Sequence, residues 1–189
     1  MRRMFATIGC ALRFFLPDSV LAASLERADI AVEEGAYHYI FVATLSANLQ
    51  AVRGVVLDVA NFSRVNHEIR RSRLLQRMDD SSFKRQIMLR HCLLVFCFNL
   101  DFVEHVILTP HGDITATILP AESSFRQGTA RWHFQALDAH HTRISLQADQ
   151  TPDFWIPPVI GPVLIKHSFV TEVDETVNNI ERFANEKFQ

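Results

Sequence analysis

The sequence predicts an α+β domain in which a curved antiparallel β-sheet wraps around one long C-terminal α-helix. Three observations predict it. Apolar residues at Val163, Val170, Val173, Val177, Ile180 and Ala184 recur in steps of mostly three and four, the period of one helix face. Upstream, residues 68–150 break into six strand-like segments separated by short polar turns, the mark of an antiparallel meander. Before them, a β-rich run passes directly into an amphipathic helix. The stretch from Pro152 to Lys187 organises the rest. Pro157, Pro158 and Pro162 stand where a missing N–H is tolerated, and no proline follows. About 25 helical residues would span roughly 37 Å, the width of a small domain. On this helix Val170 and Val177 are expected to face inward, Glu175 and Glu181 to face solvent.

Composition narrows the function. The 189 residues suffice for one domain with a sizeable core. The chain is 48% hydrophobic and holds 15 Phe, which predicts a thick core or a ring-lined cavity. A net charge of −2 excludes a whole-molecule basic field for nucleic acid, and no nucleic-acid partner is expected. Cys10, Cys92 and Cys97 fit neither a disulfide framework nor a zinc pattern. Cys92 and Cys97, read as parts of one extended segment, are expected to point to opposite faces as buried, unreactive thiols.

In chain order, residues 1–23 form either a signal peptide or a disordered, non-cleaved extension. Arg2 and Arg3, the apolar run Met4 to Leu16 and Val20-Leu21-Ala22 match an export signal, whereas Arg13 interrupts its apolar core. Export predicts a periplasmic or secreted protein, and the alternative a cytoplasmic one. Residues 24–189 form a single domain, with no stretch of 18 apolar residues to cross a membrane. Tyr37 to Leu45 is a strand whose odd positions share one face. Ser46 and Asn48 offer N-caps for a helix with Leu49, Val52, Val55, Val56 and Val59 as its stripe, and Gly54 within it suggests close packing. The strands follow at Ile69–Arg77, Phe83–Leu93, Leu94–Thr109, Ile114–Leu119, Phe125–Leu137 and Thr142–Ala148. Leu93 to Phe98 is apolar on both faces, so this part of the sheet is expected to be covered twice or to turn inward.

Three stretches carry a family resemblance. Leu45 to Phe62 (LSANLQAVRGVVLDVANF), Gly128 to Leu146 (GTARWHFQALDAHHTRISL) and Pro152 to Leu164 (PDFWIPPVIGPVL) resemble the START-like, or SRPBCC, superfamily and its polyketide-cyclase and coenzyme-Q-binding branch. The resemblance covers roughly residues 30–187 and implies the helix-grip fold, built around an internal cavity.

On that basis the expected function is binding or transport of a hydrophobic small molecule such as a lipid, quinone or polyketide. The alternatives are an enzyme of the cyclase/aromatase type and a protein-interaction module of the ribosome-association-toxin type. The cavity residues proposed from the sequence are Phe96, Phe98, Phe102, Trp132, Phe134, Phe154, Trp155, Val163, His167 and Val170, around a pocket of ~300–1,000 Å³. Phe154-Trp155-Ile156 mark its mouth or an edge that touches a membrane transiently, as against a plug for the core. The arginines between Arg64 and Arg90 form a basic stripe or, as the plainer reading, a charged sheet edge. The only acid/base candidates are Glu104, His91, His105, His133 and His167, and no catalytic residues are assigned. Asp138-Ala139-His140-His141 lacks a third metal ligand, so neither metal nor cofactor is expected. Composition does not set the oligomeric state. Two or more titratable groups facing the cavity would favour the enzyme. An apolar lining would favour the carrier, and a closed core the interaction module.

Overall fold

The structure, a computed structural model, describes residues 23–93, 96–156 and 161–186, with the side chains of residues 93, 96 and 161–164 outside that set. The segment expected to be a signal peptide or an extension, Leu94-Val95 and the Phe96 and Val163 side chains therefore lie outside the described residues. Eight strands form one antiparallel sheet: β1 (Ser24–Glu33), β2 (Ala36–Leu45), β3 (Ile69–Arg77), β4 (Ser82–Leu93), β5 (Phe96–Leu108), β6 (Ile114–Ile118), β7 (Phe125–Ala136) and β8 (Thr142–Pro152). Their order is β1-β2-β8-β7-β6-β5-β4-β3. Helices α1 (Leu49–Val56) and α2 (Gly161–Glu186) lie against the concave face. The predicted α+β architecture, a curved antiparallel sheet gripping a long C-terminal helix, is what the chain adopts.

The sequence pattern does not reveal β1. Its charges (Glu26, Arg27, Asp29 and Glu33) interrupt the apolar pattern, and it lies at the sheet's edge, mostly exposed. Glu34 and Gly35, both at positive φ, turn it tightly into β2. The odd residues of β2 face the core, with Phe41, Ala43 and Leu45 buried. Asn48 caps α1 by accepting from the Ala51 N–H at 2.9 Å. Gly54 has open space where a Cβ would stand, so close packing is not its reason. A 3₁₀ turn, Val59–Arg64, then carries the chain to the opposite edge strand, β3. The arginines of β3 are thus a charged edge, and Arg85 leaves the stripe altogether. It turns inward and pairs with Glu104 at 2.8 Å, both buried.

Strand β6 is five residues long between neighbours of thirteen and twelve. It pairs only with Glu104 to Leu108 of β5, leaving the start of β5 without a strand partner there. The segment after β6 covers that edge. Leu119 and Ser124 donate their N–H groups to the Val103 and Asp101 carbonyls. The Ser123 and Ser124 hydroxyls accept from the Val103 and Asp101 N–H groups. The orphan ladder groups are thereby satisfied without a strand.

The cysteines depart from the expectation of unreactive thiols on opposite faces. Cys92 and Cys97 form a disulfide. They lie on β4 and β5, directly opposite each other, rather than on one continuous strand. No Gly, Pro, Asn or Asp marks a turn between them, which is why the sequence reads as uninterrupted.

Along α2 the inward row is Phe169, Val173, Val177, Ile180 and Ala184; from Val173 on it is buried. Val170 stands about 100° round from Phe169 and is 41% exposed, contrary to expectation. Glu181, expected in solvent, is buried and accepts the Ser46 N–H, while Asn185 donates to the Ser46 carbonyl. The helix thereby locks the turn between β2 and α1. Val177→Asp should abolish folding, whereas Val170→Asp should leave the melting temperature within a few degrees of wild type. Glu181→Ala should cost about 1–3 kcal/mol by removing the carboxylate that accepts the Ser46 N–H, and Glu181→Gln much less. Gly54→Ala should stabilise by up to ~1 kcal/mol. Thermal denaturation of the five variants checks the facing of both helices.

Candidate functional site

The first half of α2 lies over the end of the sheet where β4 and β5 outrun β6, and there the core is not filled. A cavity of about 230 Å³ remains. Four rings form one wall: Phe98 against Phe154, Phe154 edge-on to Phe125, and Phe125 against Phe102 at 4.5 Å between centroids. Tyr37, Tyr39 and Phe169 form a second, with Tyr39 and Phe169 5.3 Å apart. Leu89, Leu100, Ile156 and Ile165 supply aliphatic surface between them. Strand alternation explains the set, because Leu89 and His91 of β4 face Leu100 and Phe98 of β5.

Of the residues proposed from the sequence, Phe98, Phe102 and Phe154 line this cavity. Trp132 and Phe134 share the concave face but belong to the closed core, where Trp132 packs edge-on to Phe41. Trp155 points outward at 71% exposure, between the lining residues Phe154 and Ile156. His167 and Val170 are exposed, on the far side of α2 from Ser168 and Phe169. The cavity is smaller than the pocket expected from the Phe content because Trp132, Phe134 and the second half of α2 occupy the other end.

The polar lining was largely missed. Glu68 precedes β3, His91 is on β4 and Glu172 on α2. His91 Nδ1 lies 2.6 and 2.7 Å from the two Glu68 oxygens, both side chains mostly buried. Glu172 Oε2 accepts from Asn66 Nδ2 at 2.8 Å. The buried Asn66 also donates to Thr176 Oγ1 and accepts the Glu68 N–H, tying the approach to β3 onto α2. Burial pushes the Glu172 carboxyl up, against the Asn66 hydrogen bond, and the Glu68 charge adds to the rise. Burial also raises both tyrosines, so their phenols stay protonated. His91 alone among these was flagged by the sequence. Glu68 and Glu172 stand in segments where a charge is ordinary. The other acid/base candidates go elsewhere: Glu104 to Arg85, and His133 to Asp113 at the surface.

His67, Glu172 and Glu175 bring ligand atoms within 4.8 Å of one another. Those atoms already serve the fold, since Glu175 accepts from the His67 N–H and ring while Glu172 holds Asn66.

No family model matches the sequence, and no curated protein matches it. Solved structures do. The Zhui aromatase/cyclase from Streptomyces sp. R1128 superposes with a TM-score of 0.66 at 14% identity, over 82% of this chain and 96% of that one. A START superfamily protein from Mycobacterium smegmatis gives 0.63 at 16% identity, over 79% and 98%. Human STARD10 gives 0.64 at 10% identity, over 85% and 76%. The chain has the helix-grip fold of START-like proteins.

The His67–Glu175 hydrogen bond raises the His67 imidazolium pKa, outweighing the opposing effect of burial. A raised folded value means this stabilisation is full below the ordinary value of about 6.5 and is lost as pH rises through the raised one. Glu172, raised by burial, has the same sign. The melting temperature should therefore fall as the pH rises above about 6.5, with a shallower slope in His67→Ala. Calorimetry across that range reads it directly.

Proposed function

We propose that this chain binds one compact, largely apolar small molecule in the cavity between the first half of α2 and the β4–β5 end of the sheet. The observation that carries this reading is the continuous ring wall of Phe98, Phe154, Phe125 and Phe102 around unfilled space. A core built only for stability closes such space, because each unfilled methylene forfeits packing. The volume suits a ring system or a short chain better than a two-chain lipid. Burial there is worth roughly 0.8 kcal/mol per CH₂. The solved neighbours support a ligand-holding role, since one is described as an aromatase/cyclase and another, from Xanthomonas axonopodis, as a STAR-related lipid transfer protein. Exposed Trp155, at the cavity's rim, is the side chain we assign to transient contact with a membrane surface. The Cys92–Cys97 disulfide supports an oxidising compartment, in keeping with an export signal in residues 1–23. Leu100→Trp should fill the cavity. It should keep the fold by circular dichroism and lose binding of naphthol- or quinone-sized ligands by calorimetry. Retained binding would remove the cavity from consideration.

A second reading, the cyclase-type enzyme, meets the criterion of two or more titratable groups facing the cavity, since Glu68, His91 and Glu172 face the same space. Oriented through Nδ1 by Glu68, His91 has Nε2 left to take a proton from carbon beside a ligand carbonyl. Deuterium incorporation into 2-tetralone in D₂O, followed by NMR, should then accelerate with wild type and fall to background with His91→Ala. No acceleration by wild type leaves binding as the whole function.

A further inference from the structure

We propose that the cavity selects its ligand by the hydrogen bonds the ligand can donate. It takes an apolar skeleton bearing a phenol or alcohol and rejects the same skeleton bearing a carboxylate or phosphate. This rests on the reading of the cavity as a ligand site and narrows the chemistry that site accepts.

The charged lining is one-sided. Among the described residues around the cavity, Glu68 and Glu172 are acids, His91 is the one basic group, and no Lys or Arg is present. The two carboxylates are mostly withdrawn from water, with side chains 13% and 20% exposed. His91 is committed to Glu68 through Nδ1. One Glu172 oxygen takes Asn66, and the other has no donor among the described residues. The buried Arg85 is neutralised by Glu104 and faces Phe62, not this space.

An ionised carboxylate only accepts, so its free oxygen gains from a ligand O–H, and the bond is charge-assisted. His91, held through Nδ1 by Glu68, presents a further polar group on the same wall. A ligand anion meets the reverse: two like charges in a poorly screened pocket, without the guanidinium fork that recognises carboxylate or phosphate. A hydroxyl should therefore add affinity over the bare hydrocarbon by at least about ten-fold, and an acid should subtract from it.

The full chain is titrated at pH 8 with naphthalene, 2-naphthol, 2-naphthoate and 2-naphthyl phosphate by calorimetry. The expected order is naphthol above naphthalene above both anions. Glu172→Gln, and independently Glu68→Gln, should each narrow the ratio of naphthol to naphthoate affinity in variants whose melting confirms a folded protein. Anions binding as tightly as naphthol would overturn the proposal. So would four equal affinities, which leave the cavity as a ligand site without this selectivity. If none of the four binds, the ligand reading fails and the selectivity with it.

Discussion

A helix of 26 residues lies across a sheet whose middle strand has five, and most of the molecule follows from that mismatch. The helix spans about 39 Å and β6 about 17 Å. Val173, Val177, Ile180 and Ala184 of the second half meet a complete sheet and form a closed core. The first half overhangs the region that β6 does not reach. There the polypeptide spends Ser123 and Ser124 to satisfy the bare edge of β5, and ring contacts between Phe102 and Phe125 bridge the gap. The cavity is what such a join leaves open, and its walls are aromatic because rings can span distances that aliphatic side chains cannot.

Four acidic side chains in the interior show how differently one charge can be treated. Glu104 is matched by Arg85 and Glu181 by the Ser46 backbone. Each is structural, because its partners are protein groups. Glu68 and Glu172 are compensated by His91 and Asn66, yet face empty space. Desolvating a charge costs several kcal/mol if nothing answers it, so incomplete compensation at a cavity wall marks a place where something else is expected to bind.

Periodicity made the architecture legible. Strands β2 to β8 and both helices follow from alternation, turn residues and a heptad-like stripe, all local signals. β1 escaped because an edge strand keeps its charges, and Cys92–Cys97 because Leu94-Val95 carries no turn chemistry. Phe98, Phe102 and Phe154 could be guessed as cavity residues from their ring size and the fold resemblance, the first two on β5 and Phe154 in the segment after β8. Trp132 and Phe134 could not be told apart from them. Residues that alternate in phase share a face whether they stand at its filled or its open end. Glu68, His91 and Glu172 come from three separate elements, and no local pattern brings such residues together.

The sheet order has a bearing on how the protein is made. β2 lies inside the sheet, held on one side by β8, with Tyr37 opposite Gln150 and Leu45 opposite Thr142. A ribosome releases the N-terminal hairpin long before the strand that must flank it. Until then Tyr37, Phe41 and Leu45 present an apolar strand with a bare edge to whatever is nearby. High contact order makes closure slow, and the wait is longest for the strand that carries two of the cavity's tyrosines. The ligand space is thus among the last parts of the molecule to take shape, assembled only when both ends of the chain have met.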